Sequence, residues 1–390
     1  MPKSAIALAS LLIGLVLAGT SPPVAMAAGG VWSVRPSPNV GPPTADDILS
    51  SVSCVSATFC ATAGDYANSG HGYPTLFERW DGHKWSVMPG PTLGSASTDS
   101  FASGVSCVST RSCMVVGMTG DHGLAEHWDG TKWSVVPVPG SEVDLNGVDC
   151  TGPEACVAVG DQTSKTENSR SLIETWDGTK WSIVASPNPG PAAQYAYSAG
   201  PAHDILESVS CPSPTWCAAL GVYITPAGVT KTLAEQWDGK TWSIEPSADK
   251  PSATTAFMAV SCTSARSCVA VGDFESTGYD TLTESWDGAK WSIVASPDKG
   301  PVDLDDDLAA VSCLSPQSCV AVGAAAESPA GGRGETLVES WNGAAWSLVP
   351  SPDKGPVSGL SGVSCAPSAP CVAVGSYLIA HHGGTLTEVS

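Results

Sequence analysis

Carboxylates just before a repeated strand are the residues of this sequence best able to do chemistry. An Asp stands five residues before the Val of Val-Ser-Cys at three places, and the stretch "DLDDDL" adds further acids to the third. Gathered carboxylate oxygens could bind Ca²⁺, and a pair of them could run glycoside hydrolysis. The plainer alternative is a solvated rim in which Asp begins turns. No pair is singled out for catalysis, and no cofactor other than calcium is expected; the candidate calcium ligands are Asp47, Asp204, Asp303, Asp305, Asp306 and Asp307.

The cysteines are the second group of residues whose spacing suggests a chemical role. All fourteen fall in pairs with five residues between the two members. Zinc would need four ligands brought together, whereas each pair belongs to a separate repeat. An exported chain with an even number of cysteines favours disulfides, and facing strand positions bring Cα atoms within disulfide reach. The expected disulfides are Cys54–Cys60, Cys107–Cys113, Cys150–Cys156, Cys211–Cys217, Cys262–Cys268, Cys313–Cys319 and Cys365–Cys371.

The cysteine pairs also reveal an internal repeat. Successive first cysteines lie 53, 43, 61, 51, 51 and 52 residues apart, and a period of about fifty is typical of propeller blades or a solenoid. Each unit predicts four strands, such as "LAAVSC", "CVAVG", "TLTESW" and "KWSIVASP". Asp-Gly or Asn-Gly between the third and fourth runs predicts a hairpin, and a Pro after the fourth suits an outer edge.

The last repeat holds only three of the four runs, and the missing run stands at the other end of the sequence. The last repeat spans 363–390, whereas the segment 31–38, "VWSVRPSP", has the Trp-Ser of a fourth strand. Pairing the two segments closes a ring and leaves no unpaired strand at the seam. An open solenoid would have no use for a displaced strand. The sequence therefore predicts an all-β protein, a seven-bladed β-propeller with four antiparallel strands per blade and an N-terminal strand that completes the last blade.

A Glu lies two residues before the third-strand Trp position in every repeat. If Asp287-Gly288 form a two-residue loop, Glu284 faces Trp291 and shares one side of the sheet with Trp286. The structural interpretation is that Trp packs between blades while the buried Glu accepts hydrogen bonds. The functional alternative is a ring of equivalent pockets, each offering Trp for stacking and Glu for hydroxyl groups. The repeated glutamates are Glu78, Glu126, Glu174, Glu235, Glu284, Glu339 and Glu388.

The segments "TWDGTKW", "QWDGKTW" and "SWDGAKW" resemble the Asp-box, a turn motif between the third and fourth strands of blades in sialidases and related propellers. The unit length resembles that of kelch-type blades, and Cys-x5-Cys with Trp-Asp-Gly resembles repeats of secreted bacterial propeller proteins of unassigned function. The resemblance implies a scaffold found in binding proteins as well as enzymes. It does not imply sialidase activity, because that family holds its substrate with three arginines on inner strands. Here no first strand carries any of Arg35, Arg79, Arg111, Arg170, Arg266 and Arg333.

The N-terminal stretch predicts a signal peptide over 1–27. Lys3 gives a positive start, the apolar run at 5–17 is too short to span a membrane, and Ala25-Met26-Ala27 is a small-x-small cleavage signature. The remaining 28–390 would then be a single propeller domain, secreted and extracellular. A net charge of −21 disfavours nucleic acid and anionic membranes as partners. We expect a monomer.

Two kinds of connection vary between repeats: those from second to third strand and those from one repeat to the next. In a propeller both emerge on one face, opposite the nearly constant cysteine turns, and variable loops on a fixed scaffold are the usual place for recognition. We therefore expect a non-enzymatic binding propeller for an extracellular glycan or protein. The alternatives are a glycoside hydrolase or lyase with carboxylates at the channel mouth, and a structural scaffold. The variable segments also hold His71, His122, His203, His381, His382, Tyr66, Tyr73, Tyr197, Tyr223, Tyr279 and Tyr377.

Overall fold

A computed structural model describes residues 31–42, 46–68, 72–94, 98–163, 169–189, 203–225, 228–250, 253–300, 304–326, 334–379 and 382–390. The predicted signal peptide and its cleavage site lie outside the described residues. So do Asp303, His71, His381 and Tyr197 of the candidate site residues. In the described part of the chain, no helix is long and apolar enough to cross a membrane.

The described chain forms seven four-stranded antiparallel units, which we call blades one to seven in order of their inner strands. Five of them are separate sheets, and blades six and seven are joined into one eight-stranded sheet by a single parallel bridge between Gly334 and Val357. The inner strands are Asp47–Ser56, Ser100–Ser109, Val143–Gly152, Asp204–Ser213, Thr255–Ser264, Asp306–Ser315 and Val357–Ser364. The second strands are Phe59–Tyr66, Ser112–Thr119, Ala155–Thr163, Trp216–Ile224, Ser267–Glu275, Ser318–Ala326 and Val372–Ile379. The third strands are Thr75–Trp80, His122–Trp128, Ser169–Trp176, Thr230–Trp237, Tyr279–Trp286, Gly334–Trp341 and His382–Val389. The outer strands of blades one to six are Trp85–Met88, Trp133–Val135, Trp181–Val184, Trp242–Ile244, Trp291–Val294 and Trp346–Leu348.

The N-terminal strand completes blade seven, as the sequence predicts. Ser33–Val34 pairs antiparallel with the third strand of that blade, with Ser33 opposite Val389 and Val34 opposite Glu388. The amide of Arg35 extends the pairing by donating to the carbonyl of Thr387 at 2.8 Å. The fold is therefore a seven-bladed β-propeller whose last blade is built from both ends of the chain.

The turn between the third and outer strands is longer than the sequence suggested. Trp286 lies opposite Trp291, and Glu284 lies opposite Ile293, so the loop has four residues and the predicted Glu284–Trp291 pairing is wrong. The Asp287 carboxylate accepts the amides two and three residues ahead, at 2.8 and 3.0 Å. This Asx turn needs the third and fourth loop residues to supply donors, which a two-residue hairpin could not do.

Each inner strand carries one β-bulge at an equivalent position, for example between Leu49 and Ser51. The repeated second-strand Gly lies opposite the residue just before the bulge. At Gly64 an added Cβ would lie 2.0 Å from the carbonyl oxygen of Ile48, and the other six positions are equally crowded. A side chain there would push the two innermost strands apart, which explains why Gly occurs at this position in all seven blades.

The residue before the first Cys of each blade accepts a hydrogen bond from the first-Cys amide of the next blade, and these bonds tie neighbouring inner strands together. The Cys107 amide donates to Ser53 Oγ at 3.0 Å, and the Cys54 amide closes the ring by donating to Ser364 Oγ at 3.0 Å. Six of the seven acceptors are Ser hydroxyls, and the seventh is the carboxylate of Asp149, which accepts from Cys211 at 2.7 Å. The blades are thus joined around the centre by polar contacts as well as by packing.

The apolar core lies between blades rather than within one sheet. Each cluster of buried side chains joins two neighbouring blades, as where Phe77 of blade one stacks on Trp133 of blade two at 4.6 Å between ring centroids. The seven expected disulfides are present, with Cα–Cα distances of 3.9–4.2 Å within each first hairpin. The outer-strand Trp packs on the third-strand Trp, as for Trp286 and Trp291 at 5.6 Å.

Candidate functional site at the central channel

The bulge residues of the seven inner strands line a central channel of about 170 Å³. Because a bulge places an extra residue outside the ladder, its side chain is free to face the axis. The seven bulge positions hold Ser50, Ser103, Asn146, Glu207, Met258, Ala309 and Ser361. Of these seven side chains, Glu207 is the one that can carry a charge.

A second acid, Asp161, lies close enough to Glu207 to repel its charge. Burial, together with repulsion from the nearby Asp161, raises the pKa of Glu207 to about 7. Asp161 lies on the second strand of blade three, directly after the repeated Gly, and burial raises its pKa too. The Asn146 side chain stands beside this pair, since its amide donates to the carbonyl of Leu206 at 3.2 Å. We call Asp161 and Glu207 the first acidic pair.

A second acidic pair, Asp273 and Asp307, lies between blades five and six. Burial raises the pKa of each carboxyl to about 6, and for Asp307 the charge of Asp273 adds to the rise. Asp305 adds repulsion to both, although its own carboxylate accepts the amide of Tyr279 at 3.1 Å. Oδ1 of Asp273 is buried with no hydrogen-bond partner among the described residues. This pair is therefore a concentration of negative charge that the described protein groups do not neutralise.

The candidate calcium ligands are spread over several blades. Asp47 accepts the backbone amides of Val40 and Gly41, and Asp306 those of Lys299 and Gly300. Asp204 lies in blade four, near Arg170, while Asp307 belongs to the second acidic pair. Nowhere in the described part of the chain do three or more His, Cys, Asp or Glu side chains gather as metal ligands would. Calcium binding stays a prediction.

The repeated glutamates lie deep between the blades, each 0–1% exposed. In four seams the partner is a Ser of the preceding blade, from the Ser-Pro that follows its outer strand. The Ser hydroxyls of four blades donate to the glutamates of the next blade as Ser37–Glu78, Ser186–Glu235, Ser296–Glu339 and Ser351–Glu388, at 2.6–3.0 Å. These carboxyl groups face inward, as the structural interpretation predicts, and are not presented to a ligand in solvent.

The exceptions to this pattern follow from the sequence. Ala248 stands where other repeats have Pro, and its amide donates to Glu284 at 3.1 Å. Gly90 replaces the Ser before Glu126, which then has only Thr75 at 3.5 Å. In blade two, Gly123 and Val138 stand at the two positions where other blades have Ser or Thr hydroxyl groups. Neither carboxyl oxygen of Glu174 has a hydrogen-bond partner among the described residues.

The third-strand Trp rings are anchored rather than offered for stacking. Five of the six indole N–H groups donate to carbonyl oxygens of the cysteine turns at 3.1–3.3 Å, as Trp80 does to Ala57 and Trp286 to Ala265. An anchored ring fixes the hairpin ends against each other. The variable-loop histidines within the described ranges are dispersed, with His122 in blade two, His203 beside Asp161 and Asp204, and His382 in blade seven.

The two acidic pairs were not predicted from the sequence, because only the Asp residues beside the inner strands were considered as candidates. Asp65, Asp161 and Asp273 each follow the repeated second-strand Gly, a three-fold recurrence visible in the sequence as "AGD" and "VGD". Glu207 had no comparable signal, since its exposure to the channel depends on a bulge that the sequence does not mark.

No protein-family model matches this sequence, and no curated protein matches it. Solved structures share its fold. YCF48 bound to D1 peptide superposes with a TM-score of 0.53 at 13% identity, over 92% of this chain and 95% of that chain. YCF48 from Cyanidioschyzon merolae gives a TM-score of 0.55 at 15% identity, over 92% of this chain and 99% of that chain.

The SapL1 lectin in complex with alpha methyl fucoside gives a TM-score of 0.45 at 14% identity, over 79% of this chain and 95% of that chain. At these identities the similarity shows the propeller fold alone.

Proposed function

We propose that this protein is a non-enzymatic binding module whose ligand is a basic segment of an extracellular protein, held at the variable-loop face over the central channel. The observation that carries this proposal is the two acidic pairs, in which Asp161 alone is partly compensated, by Ser169, Thr163 and the nearby His203. The groups that shift the pKa values of Glu207, Asp273 and Asp307 are burial and other acids, with no basic side chain among them. Bringing lysine or arginine side chains to these carboxylates would relieve the repulsion.

Two further observations support the proposal. The net charge of −21 steers cationic partners toward the molecule from a distance. A YCF48 structure of similar fold carries a bound peptide, so a propeller of this shape can hold a polypeptide segment. We infer export from the seven disulfides, which persist in oxidising compartments, and we retain the Asp-box and kelch resemblance as a description of the blades.

Titration with a decalysine peptide tests the proposal by isothermal calorimetry. D161N/E207Q and D273N/D307N should each weaken binding about tenfold or more, since close charge pairs are worth that much. Decaglutamate should not bind. Binding should also weaken as the pH falls from 8 to 5, because the carboxylates with pKa values of about 6 and 7 become protonated and lose their charge.

The matched control is D129N/D177N, which also removes two negative charges, but from the Asp-Gly turns on the opposite face of the propeller. Asn342 occupies the same turn position in blade six and accepts the equivalent amides at 2.9 and 3.0 Å, so these substitutions should leave the fold intact. An equal loss of binding in the control would contradict a localised site. A glycan array and a panel of glycosidase substrates complete the test. Saturable glycan binding without peptide binding would overturn the proposal, and so would hydrolysis of a glycosidase substrate that E207Q abolishes.

A further inference from the structure

Blade three breaks the seven-fold ring of hydrogen bonds at one residue. Six blades have Ser before the first Cys, and blade three has Asp149. Its Oδ2 accepts the Cys211 amide at 2.7 Å, while Oδ1 has only Ser106 at 3.4 Å. The Ser at the other six positions provides the same backbone acceptor without a charge, so the ring itself does not require a carboxylate.

The Asp149 carboxylate opens onto a cavity between blades three and four. The cavity has a volume of about 170 Å³, and its walls include Trp176, Trp237, Trp242 and the disulfide-bonded Cys211 and Cys217. Trp176 and Trp237 are half-buried at its entrance. Tryptophan pairs and disulfides recur in other blades, so the carboxylate is what distinguishes this cavity.

Blade three has small residues at positions where large side chains fill the seams beside blades one and four. Ala155 stands where blade one has Phe59 and blade four has Trp216, each of which packs into the cluster beside its own seam. Thr175 stands where blade one has Arg79, whose guanidinium lies over the Phe59 ring. The chain itself therefore shows which side chains would close the cavity.

Within the described ranges, no cationic side chain acts on the Asp149 carboxyl group. The groups that act on its pKa are burial, which raises it, and the hydrogen bonds from Cys211, Cys150 and Ser106, which lower it. A buried carboxylate without a counter-charge is costly unless something positive comes to it. Aromatic faces attract cations as well, and the attraction grows when the site excludes water.

We propose that the cavity between blades three and four binds a small organic ammonium ion, with Asp149 supplying the counter-charge and the three tryptophans supplying the aromatic walls. The volume fits a headgroup and not a large ligand, because sites for drug-sized molecules run to roughly 300–1,000 Å³. An engineered apolar cavity of about 150 Å³ holds benzene, so a ligand of that size has room here. This site is separate from the acidic pairs at the channel.

Choline chloride is the probe, titrated at constant ionic strength while tryptophan fluorescence and calorimetric heat are followed. The neutral isostere 3,3-dimethylbutan-1-ol should bind at least about tenfold more weakly, since it lacks the charge that Asp149 and the tryptophan faces attract. D149S should weaken choline binding by a similar factor and should remain folded, because Ser does the same structural task in six blades.

A155F separates the cavity from the charge, because it fills the space as Phe59 does while leaving Asp149 in place. A155F should abolish choline binding and leave the melting temperature unchanged. S261D is a separate control that adds a carboxylate at the position of blade five equivalent to Asp149. Saturable choline binding lost in both D149S and A155F would support the site. Unchanged affinity in either variant, equal affinity for the neutral isostere, or no saturable binding to the wild type would overturn it.

Discussion

At the scale of single residues, Glu174 differs from the other six repeated glutamates. Gly123 and Val138 occupy the two positions from which other blades donate hydroxyl groups, and an added Cβ on Gly123 would lie 2.6 Å from Val138. The two replacements therefore fit each other sterically and leave the carboxyl group without a donor. Burial raises the pKa of Glu174 to about 8.

This shift predicts how stability depends on pH. The pKa in the folded protein is above the ordinary value of 4.5, so the folded state holds the proton more tightly than the unfolded chain. The resulting stabilisation is complete below pH 4.5 and is lost as the pH rises through about 8. E174Q should therefore flatten the decline in the free energy of unfolding between pH 5 and pH 9, with a gain at pH 9 of about 1–3 kcal/mol.

Thermal unfolding from pH 5 to pH 9 measures this effect, with E235Q as the matched variant. Glu235 receives hydroxyl hydrogen bonds from Ser171 and Ser186, so the amide there loses favourable contacts and should bring no gain at pH 9. Parallel pH profiles for E174Q and the wild type would contradict the assignment of a buried, protonated Glu174.

At the scale of elements, the N-terminal strand is a full member of blade seven. Trp32 is 5% exposed and packs in the cluster between blades six and seven, like the outer-strand Trp of every other blade. Ser37 and Asn39 extend the contact, since both bond with Thr385 and Ser37 also donates to Glu78 of blade one. The strand thus joins blades six, seven and one.

W32A should lower the free energy of unfolding by about 3–5 kcal/mol, which is typical for removing a buried aromatic side chain. Chemical denaturation measures the change, and W181A in blade three should show a loss of similar size because its ring is equally buried. V31A is the control, since Val31 next to it is 88% exposed and should tolerate the change. A W32A protein as stable as V31A would show that the strand does not close the ring.

At the scale of the whole molecule, the ends of the described chain meet within one sheet. Ser390 occupies the position held by the third-strand Trp in other blades, and its hydroxyl accepts the amide of Cys371 at 2.9 Å. Trp32 occupies the position where the outer strand begins. Only the four-residue Asx turn is absent between them.

A circular permutant tests this geometry directly. Ser390 would be joined to Trp32 through Asp-Gly-Thr-Lys, the turn of blade three, and new ends would be opened between Thr163 and Ser169. Because the four-residue turn spans the same gap in six blades, the permutant should fold with seven disulfides and a melting temperature within a few degrees of the wild type. Mass spectrometry before and after reduction and a thermal melt would show this, and aggregation of the permutant alone would argue against the closure.

The sequence alone determined the repeat, the strand pattern, the disulfide pairs and the ring closure. These features are local or periodic: five residues between cysteines fit one hairpin, and a missing fourth run at one end matches a spare one at the other. The number of blades follows directly from the number of copies. Periodicity carries such information because each blade must meet its neighbours in the same way.

Only the tertiary structure decided where charge collects. Asp273 and Asp307 are far apart in the sequence but close together in the fold. They meet because the second strand of one blade packs beside the inner strand of the next. Glu207 reaches the channel through a bulge, and Asp149 faces a cavity because Ala155 leaves it open. Asp47 and Asp306, which look like exposed metal ligands in the sequence, instead turn back to the amides of the preceding loop. Each of these outcomes depends on contacts between segments far apart in the chain, which a pattern along one strand does not record.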